Sequence, residues 1–374
     1  MRTPIQDESL FAISEKVQNN ARLTFDDGAT LFRSNDIVGI GYLANMVRTR
    51  MHGDRVFFTH NMNLNQTDYC VLYKNCKFCA FAKKIGSGEG YVLSPEQAGE
   101  KAAEARDLGV TEIHIVGGII PEMKIDYFED LFRAIKQAHP TVMIKALTSV
   151  EYDYVARISK ISVEEMLTRL RDSGLDAIPG GGAEIFAERA RNLICPGKIS
   201  GERWKEIHRI AHGMGFKSNA TMLYGHLETS EERVDHILQL RTLQDETGGF
   251  LAFVPLAFQP ENTYFDQPMP KTTGFDDLKV YAISRLLLDN FDHIKMLYRY
   301  VGWKLSEVAL NFGVDDLGGT SFEEKVAARA GGAPATHPKE DFLSMIWRAG
   351  RTPVEVDSLF RPLDAVLTRL GAVS

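Results

Sequence analysis

Three of the four cysteines fall within ten residues, as a Cys70-x5-Cys76-x2-Cys79 run, while Cys195 stands far downstream. In a reducing compartment such a run signals a metal site more than a disulfide. Three thiolates on one short loop can hold a metal centre and leave one coordination position open, and an open position is what catalysis at a metal needs. Structural zinc normally closes with four ligands. Near Cys70 there is neither a fourth cysteine nor a well-spaced histidine, so zinc would need Cys195 from another strand. The sharper reading is an iron–sulfur cluster with one iron lacking a protein ligand, and zinc is the alternative.

Such a loop needs a rigid frame. From about residue 55 onward, apolar strand-like runs alternate with amphipathic helical stretches, the pattern of a parallel sheet wrapped by helices. The strand candidates are 55–65, 112–118, 143–151, 176–185, 217–228, 250–259, 293–300 and 314–320. Ser94 with Gln97 and Ser162 with Glu165 fit capping boxes, and Ser200 is a simple cap. Roughly eight such units suit an α/β fold of the TIM-type (β/α)8 barrel, although six or seven strands with an open seam would read almost identically. Residues 1–54 read as an N-terminal helical extension and 55–328 as the barrel. Residues 329–374 read as a C-terminal loop, the Ala/Gly/Pro-rich Arg329–Pro338, followed by a helical segment broken at Pro353 and Pro362.

The 374 residues carry a formal charge of −7, with 44% hydrophobic and 25% charged residues. Mild acidity without a Lys/Arg cluster argues against nucleic acid or an anionic membrane as the main partner. The first residues carry charges and no apolar h-region, and no apolar run approaches about 18 residues. A cytoplasmic protein is therefore expected.

The segment NLNQTDYCVLYKNCKFCAFAKK resembles the cluster-binding loop of radical S-adenosylmethionine enzymes, whose usual spacing is Cys-x3-Cys-x2-Cys. Two additional residues lie between Cys70 and Cys76, so the loop must bulge there. GGAEIF, ICPGKIS, RWKEIHRIAH, NATMLYGHLET, LQDETGGF, FVPLAFQPENT and DLGGT further resemble the aminofutalosine synthase family of the futalosine route to menaquinone. Near relatives are the dehypoxanthine futalosine cyclase and a subunit of deazaflavin synthase. The resemblance implies a 4Fe-4S cluster on Cys70, Cys76 and Cys79, S-adenosylmethionine consumed as co-substrate, and a one-electron donor such as flavodoxin or ferredoxin. It also implies a small-molecule substrate, 3-[(1-carboxyvinyl)oxy]benzoate, converted to 6-amino-6-deoxyfutalosine. A non-catalytic barrel with structural zinc is the rival from another class.

In a β/α barrel, catalytic groups sit at the C-terminal strand ends and the loops that follow. Phe78 could pack against cluster and adenine, or simply fill core. Gly117 and Gly118 end the second strand, where the superfamily places a Gly-rich segment beside the methionyl group; a plain turn is the alternative. Gly180–Gly182 make a similar case. Glu184 could accept from both ribose hydroxyls, and Glu151 could share that role or hold the methionyl ammonium. The dianionic substrate needs cationic or donor partners, for which Lys145, His226 and Arg299 are candidates. Asp316–Thr320 offers backbone N–H groups that suit an anion. Cys195 reads as structural, and His208 with His212 as a pair on an outer helix.

Overall fold

A computed structural model describes residues 4–333 and 336–363. Its strands are β1 (Arg55–Thr59), β2 (Asn61–Leu64), β3 (Glu112–Ile115), β4 (Met143–Ala146), β5 (Leu175–Ala177), β6 (Ser218–Tyr224), β7 (Phe250–Ala257), β8 (His293–Ile294), β9 (Asp316–Gly319) and β10 (Thr352–Glu355). The ladders run β2-β3-β4-β5, β6-β7-β8 and β10-β1-β9, all parallel. Single parallel bridges, Ile178 to Ser218 and Lys295 to Asp316, join the three groups. Since β1 and β2 are one strand position interrupted at His60, that position together with β3 through β9 makes eight, and β1 against β9 closes the ring. The fold is thus a closed α/β barrel, with helices between strands supplying the outer layer.

Several helices start where a side chain can satisfy their free N–H groups. Thr24, Ser94, Thr148, Thr229 and Thr273 accept from the N3 backbone, while the N3 acid or glutamine answers the cap residue. Ser162 and Ser200 cap through their hydroxyls. The expected box at Ser162 is only half made, because that hydroxyl accepts from Glu165 N with no return bond from the Glu165 side chain. The N-terminal helices Phe25–Arg33 and Ile37–His52 pack on the barrel helices Ser230–Thr247 and Gly274–Leu287.

Each expected strand is shorter than its apolar run, and that of 176–185 keeps only β5, Leu175–Ala177. The 143–151 run stops at Ala146, because Thr148 caps the helix Ser149–Ser159 and places Glu151 at its N3 position. The 293–300 run keeps two strand residues before the short helix Tyr298–Val301. The 55–65 run breaks at His60. The expected C-terminal helical segment forms Lys339–Arg348 and then turns into a tenth strand, β10, that sequence reading did not foresee. Pro353, taken as a breaker, sits inside that strand opposite Val56. The strand covers β1 from Arg55 to Phe58, an edge that β3 leaves bare because it pairs only from Asn61 onward. Residues 364–374 of the expected C-terminal segment, 334–335 of its loop and 1–3 of the extension lie outside the described residues.

Candidate active site

The cysteines lie on the long irregular connection after β2, residues 65–93, pinned to its neighbours by backbone bonds. Val71 N donates to Ile119 O at 2.9 Å and Cys70 N to Lys83 O at 3.1 Å, while Lys77 N donates to Ile194 O at 2.8 Å. Arg329 ties down the outer side, donating to Asp68 Oδ2 at 3.0 Å and to Phe81 O at 2.9 Å. The bulge expected between Cys70 and Cys76 is a tight turn. Tyr73 N bonds Cys70 O, Asn75 N and Cys76 N bond Leu72 O, and Lys74 adopts φ of 64°. The two additional residues are absorbed in this turn, and Cys70 faces the same cavity as Cys76 and Cys79.

That cavity, about 180 Å³, is also lined by Phe78, Gly117, Glu151, Gly182, Glu184 and Lys198. Burial pushes the Cys76 and Cys70 thiols upward. Burial thus favours the protonated thiols, and a bound metal centre would take them as thiolates. Three sulfur ligands on one cavity wall fit a cluster with an open coordination position. Cys195 is buried and does not line this cavity, so a fourth protein sulfur does not close it.

Gly117 and Gly118 are small because the cysteine loop presses on them. A Cβ at Gly118 would lie 1.9 Å from Tyr69 O, and one at Gly117 would lie 2.7 Å from Gln66 Oε1. Gly180 repeats the close approach after β5, with φ of 80° and a hypothetical Cβ 1.9 Å from Asn219 O.

Glu151 lines the cavity, yet its carboxylate is already taken. Oε2 accepts from Thr148 N at 2.6 Å, and Oε1 from Gln66 Nε2 at 2.8 Å and Gly117 N at 3.2 Å. Burial raises its pKa against those bonds. It ties together the loops after β2, β3 and β4. Glu184 has φ of 49°, and its Oε1 accepts from Lys198 Nζ at 2.6 Å. Both acids line the cavity, Glu151 with three such bonds and Glu184 with one.

A second cavity of about 210 Å³ occupies the barrel lumen and shares Val116, Thr148 and Val326 with the first. Asn61, Asn63 and Asn65, alternate residues along the first strand position, line it, with Glu112, His114, Lys145, Asn219, Lys295 and Arg299. Burial alone would raise Glu112, but Lys145, His114 and Lys295 around it hold its pKa at about 2. His114 is pushed down to about 4 by burial, against the pull of Glu112.

The three cation candidates separate here. Lys145 lines the lumen but donates to Glu112 Oε2 at 2.6 Å, so its charge is matched within the chain. Arg299 also lines the lumen, but its Nη atoms donate to Ala333 O, Ser321 O and Thr336 Oγ1, leaving only buried Nε without a partner. His226 lines neither cavity. Its Nε2 meets Leu223 O at 3.0 Å, its Nδ1 accepts from Leu227 N at 2.7 Å, and Glu228 lies 2.9 Å away, so the ring braces its own loop. The expected anion nest at Asp316–Thr320 is spent on the fold, since Gly318 N donates to Asp316 Oδ1 and Thr320 N to Thr59 O. His208 and His212 are buried against Trp204 and Phe250 in the outer layer. Lys198 and Gln66 were missed. Lys198 had a signal, a cation in a Cys-Pro-Gly-Lys turn, whereas Gln66 had none.

Comparison with known proteins agrees with this geometry. Residues 64–240, which hold the cysteine loop and Glu184, match the radical SAM superfamily, and residues 247–366 match the CofH/MqnC C-terminal region. The chain is 44% identical to the aminodeoxyfutalosine synthase of Thermus thermophilus over 361 residues, covering 96% of each chain. It is 39% identical to the enzyme of that name from Streptomyces coelicolor, covering 94% of this chain and 93% of the other. A 5-amino-6-(D-ribitylamino)uracil–L-tyrosine 4-hydroxyphenyl transferase of Methanosarcina barkeri is 40% identical over 92% of this chain and 90% of its own. In fold, the chain is similar to the FeFe-hydrogenase maturase HydG of Carboxydothermus hydrogenoformans, with TM-score 0.75, 18% identity, and 95% of this chain and 81% of that one covered. Methylornithine synthase gives TM-score 0.72 at 18% identity, over 91% and 97%.

Proposed function

Because this chain belongs to the radical S-adenosylmethionine superfamily and carries the CofH/MqnC C-terminal region, we propose that it is an aminodeoxyfutalosine synthase acting on 3-[(1-carboxyvinyl)oxy]benzoate. The observation that carries this reading is the pair of adjoining cavities, one walled by three cysteines and Glu184, the other a polar barrel lumen. In the proposed conversion the 5′-deoxyadenosyl group joins the enol-ether carbon, the skeleton rearranges onto the aromatic ring, and a carboxylate leaves with one water as bicarbonate, giving 6-amino-6-deoxyfutalosine and methionine.

Cys70, Cys76 and Cys79 would hold the 4Fe-4S cluster. When bound and reduced, that cluster supplies the electron that cleaves S-adenosylmethionine to methionine and a 5′-deoxyadenosyl radical. Around it, Phe78 offers an apolar face and Gly117 close backbone approach, and Glu184 offers a carboxylate for the ribose hydroxyls. The shared wall of Val116, Thr148 and Val326 sets the substrate next to the nucleoside. Enclosure there matters because a primary carbon radical attacks nearby C–H bonds unless its target is held first. Lys145 and Lys295 are matched by Glu112 and Asp316. Among the described luminal residues, Arg299 Nε and the ring of neutral His114 are donors for the substrate carboxylates.

The second reading is the 4-hydroxyphenyl transferase chemistry named for the Methanosarcina relative. Asn65 Oδ1 and Asn219 Oδ1, buried luminal acceptors without partners, favour it because they would suit a donor-rich polyol chain. Product mass separates the two. Anaerobically reconstituted protein, given S-adenosylmethionine and reductant, should convert the carboxyvinyloxybenzoate to the mass of 6-amino-6-deoxyfutalosine. Turnover of ribitylaminouracil with tyrosine instead would replace the first reading with the second. A colourless protein holding one zinc would end both.

A further inference from the structure

Residues 321–333 follow β9 and bring Val326 to the wall that both cavities share. Ser321 and Glu323 take positive φ, 52° and 56°, where the chain leaves the strand, and Glu324 then accepts from Ala327 N at 2.8 Å within the helix Val326–Arg329. Three loops hold the segment. After β7, Glu261 N donates to Ala330 O and the Asn262 amide to Arg329 O. After β8, Arg299 O accepts from Ala333 N at 2.8 Å. The third attachment is Arg329 itself. Its Nη1 donates to Asp68 Oδ2 at 3.0 Å and to Phe81 O at 2.9 Å, and the guanidinium stands 4.8 Å from the centre of the Phe81 ring. Asp68 lies two residues before Cys70 and Phe81 two residues after Cys79, so one nitrogen joins both ends of the cysteine loop to the shared wall. The Asp68 side chain is only 1% exposed, and a carboxylate so buried needs its cation. Its other oxygen accepts from Tyr91 N at 2.9 Å.

We propose that Arg329 is a positioning residue that holds the cysteine loop and the Val326 wall in one register, so that the deoxyadenosyl group meets the luminal alkene before any C–H bond. This deepens the radical enzyme reading and rests on it. Arg329 lines neither cavity, so its effect is on the relation between them. Cleavage of S-adenosylmethionine belongs to the cysteine side and capture of the radical to the lumen. Misplacing reacting groups by about 1 Å can cost about a hundredfold in rate. A primary radical that misses the alkene takes a hydrogen atom from a nearby C–H bond and leaves as 5′-deoxyadenosine. Loss of Arg329 should therefore change where the radical goes more than how often it forms.

The test has one arm without cofactor and one with it. In full-length protein before reconstitution, amide hydrogen exchange read by mass spectrometry compares wild type, Arg329→Met, Arg329→Lys and Asp68→Asn. Arg329→Met and Asp68→Asn should each speed exchange roughly tenfold in both 66–81 and 321–333, with the helices Val163–Asp172 and Ser230–Thr247 unchanged. Arg329→Lys, whose single nitrogen can still meet Asp68 and Phe81 O, should stay near wild type. Faster exchange confined to the segment that carries the substitution overturns the proposal. In reconstituted protein, 5′-deoxyadenosine and coupled product are measured per S-adenosylmethionine consumed. Wild type that binds no cluster ends the radical enzyme reading, while the exchange arm still decides whether loop and wall are coupled. Wild type that cleaves S-adenosylmethionine but leaves the carboxyvinyloxybenzoate untouched ends only the substrate assignment, and the ratio is then read with ribitylaminouracil and tyrosine. Arg329→Met should raise the ratio of 5′-deoxyadenosine to product about tenfold. An unchanged ratio overturns the proposal, because a residue that only stabilised the fold would lower both yields together. If Arg329→Met retains no cluster, Asp68→Asn decides by the same ratio.

Discussion

At the scale of single residues, the site separates groups that face a ligand from groups that brace the wall. Cys70, Cys76 and Cys79 line one cavity and Cys195 does not. Changing any of the first three to alanine should reduce bound iron and sulfide to background, while Cys195→Ala should keep both; metal and sulfide analysis after anaerobic reconstitution checks this. Loss of iron in Cys195→Ala alone would point to a closed four-sulfur site. The two acids should also part company. Glu184→Ala should weaken S-adenosylmethionine binding by calorimetry, and because it leaves the buried Lys198 ammonium unpaired it should also lower stability. Glu151→Gln places an amide among the N–H donors of Thr148, Gln66 and Gly117, and leaving one of them unaccepted costs about 1–3 kcal/mol. Denaturant unfolding should register that cost, and the cofactor affinity of the folded fraction should stay near wild type.

At the scale of elements, the cysteine loop depends on the strand ends beneath it. Gly118 follows β3, and Tyr69 O occupies the space a side chain would need. Gly118→Ala should therefore displace the loop and sharply lower cluster content, with far-ultraviolet circular dichroism near wild type because the atoms a Cβ would meet belong to Tyr69 and Cys70 of the loop. Full cluster occupancy in this variant would mean that the loop tolerates the shift. Thr229→Ala provides the contrast. It removes one cap from the helix Ser230–Thr247, remote from the cavity wall, and should cost about 1 kcal/mol in unfolding with no loss of iron.

At the scale of the whole molecule, the barrel stores uncharged histidines in its outer wall. Burial pushes His208 and His236 down to about 3, and His212 down to about 4. An unfolded histidine titrates near 6.5, so between these values the unfolded chain binds more protons than the folded one. Their contribution is complete above about pH 6.5 and is lost as pH falls toward the folded values, by up to about 1.4 kcal/mol per pH unit for each histidine. Denaturant midpoints should be flat from pH 8 to 7 and fall from pH 6 to 5; no change between 7 and 5 would contradict the buried neutral state. The sequence by itself determined what depends on residue type and local spacing: the thiol trio, the helix caps, the β/α alternation that gives a barrel, and the glycines at strand ends. Only the tertiary structure decided which charges were free. Lys145 meets Glu112 across the β3–β4 ladder, the Arg299 guanidinium meets carbonyls of the segment beyond β9, and Lys198 reaches the cysteines from a loop more than a hundred residues downstream. Local periodicity reports which face a residue takes, but the stability of a buried charge depends on the counter-charge that distant chain brings to it.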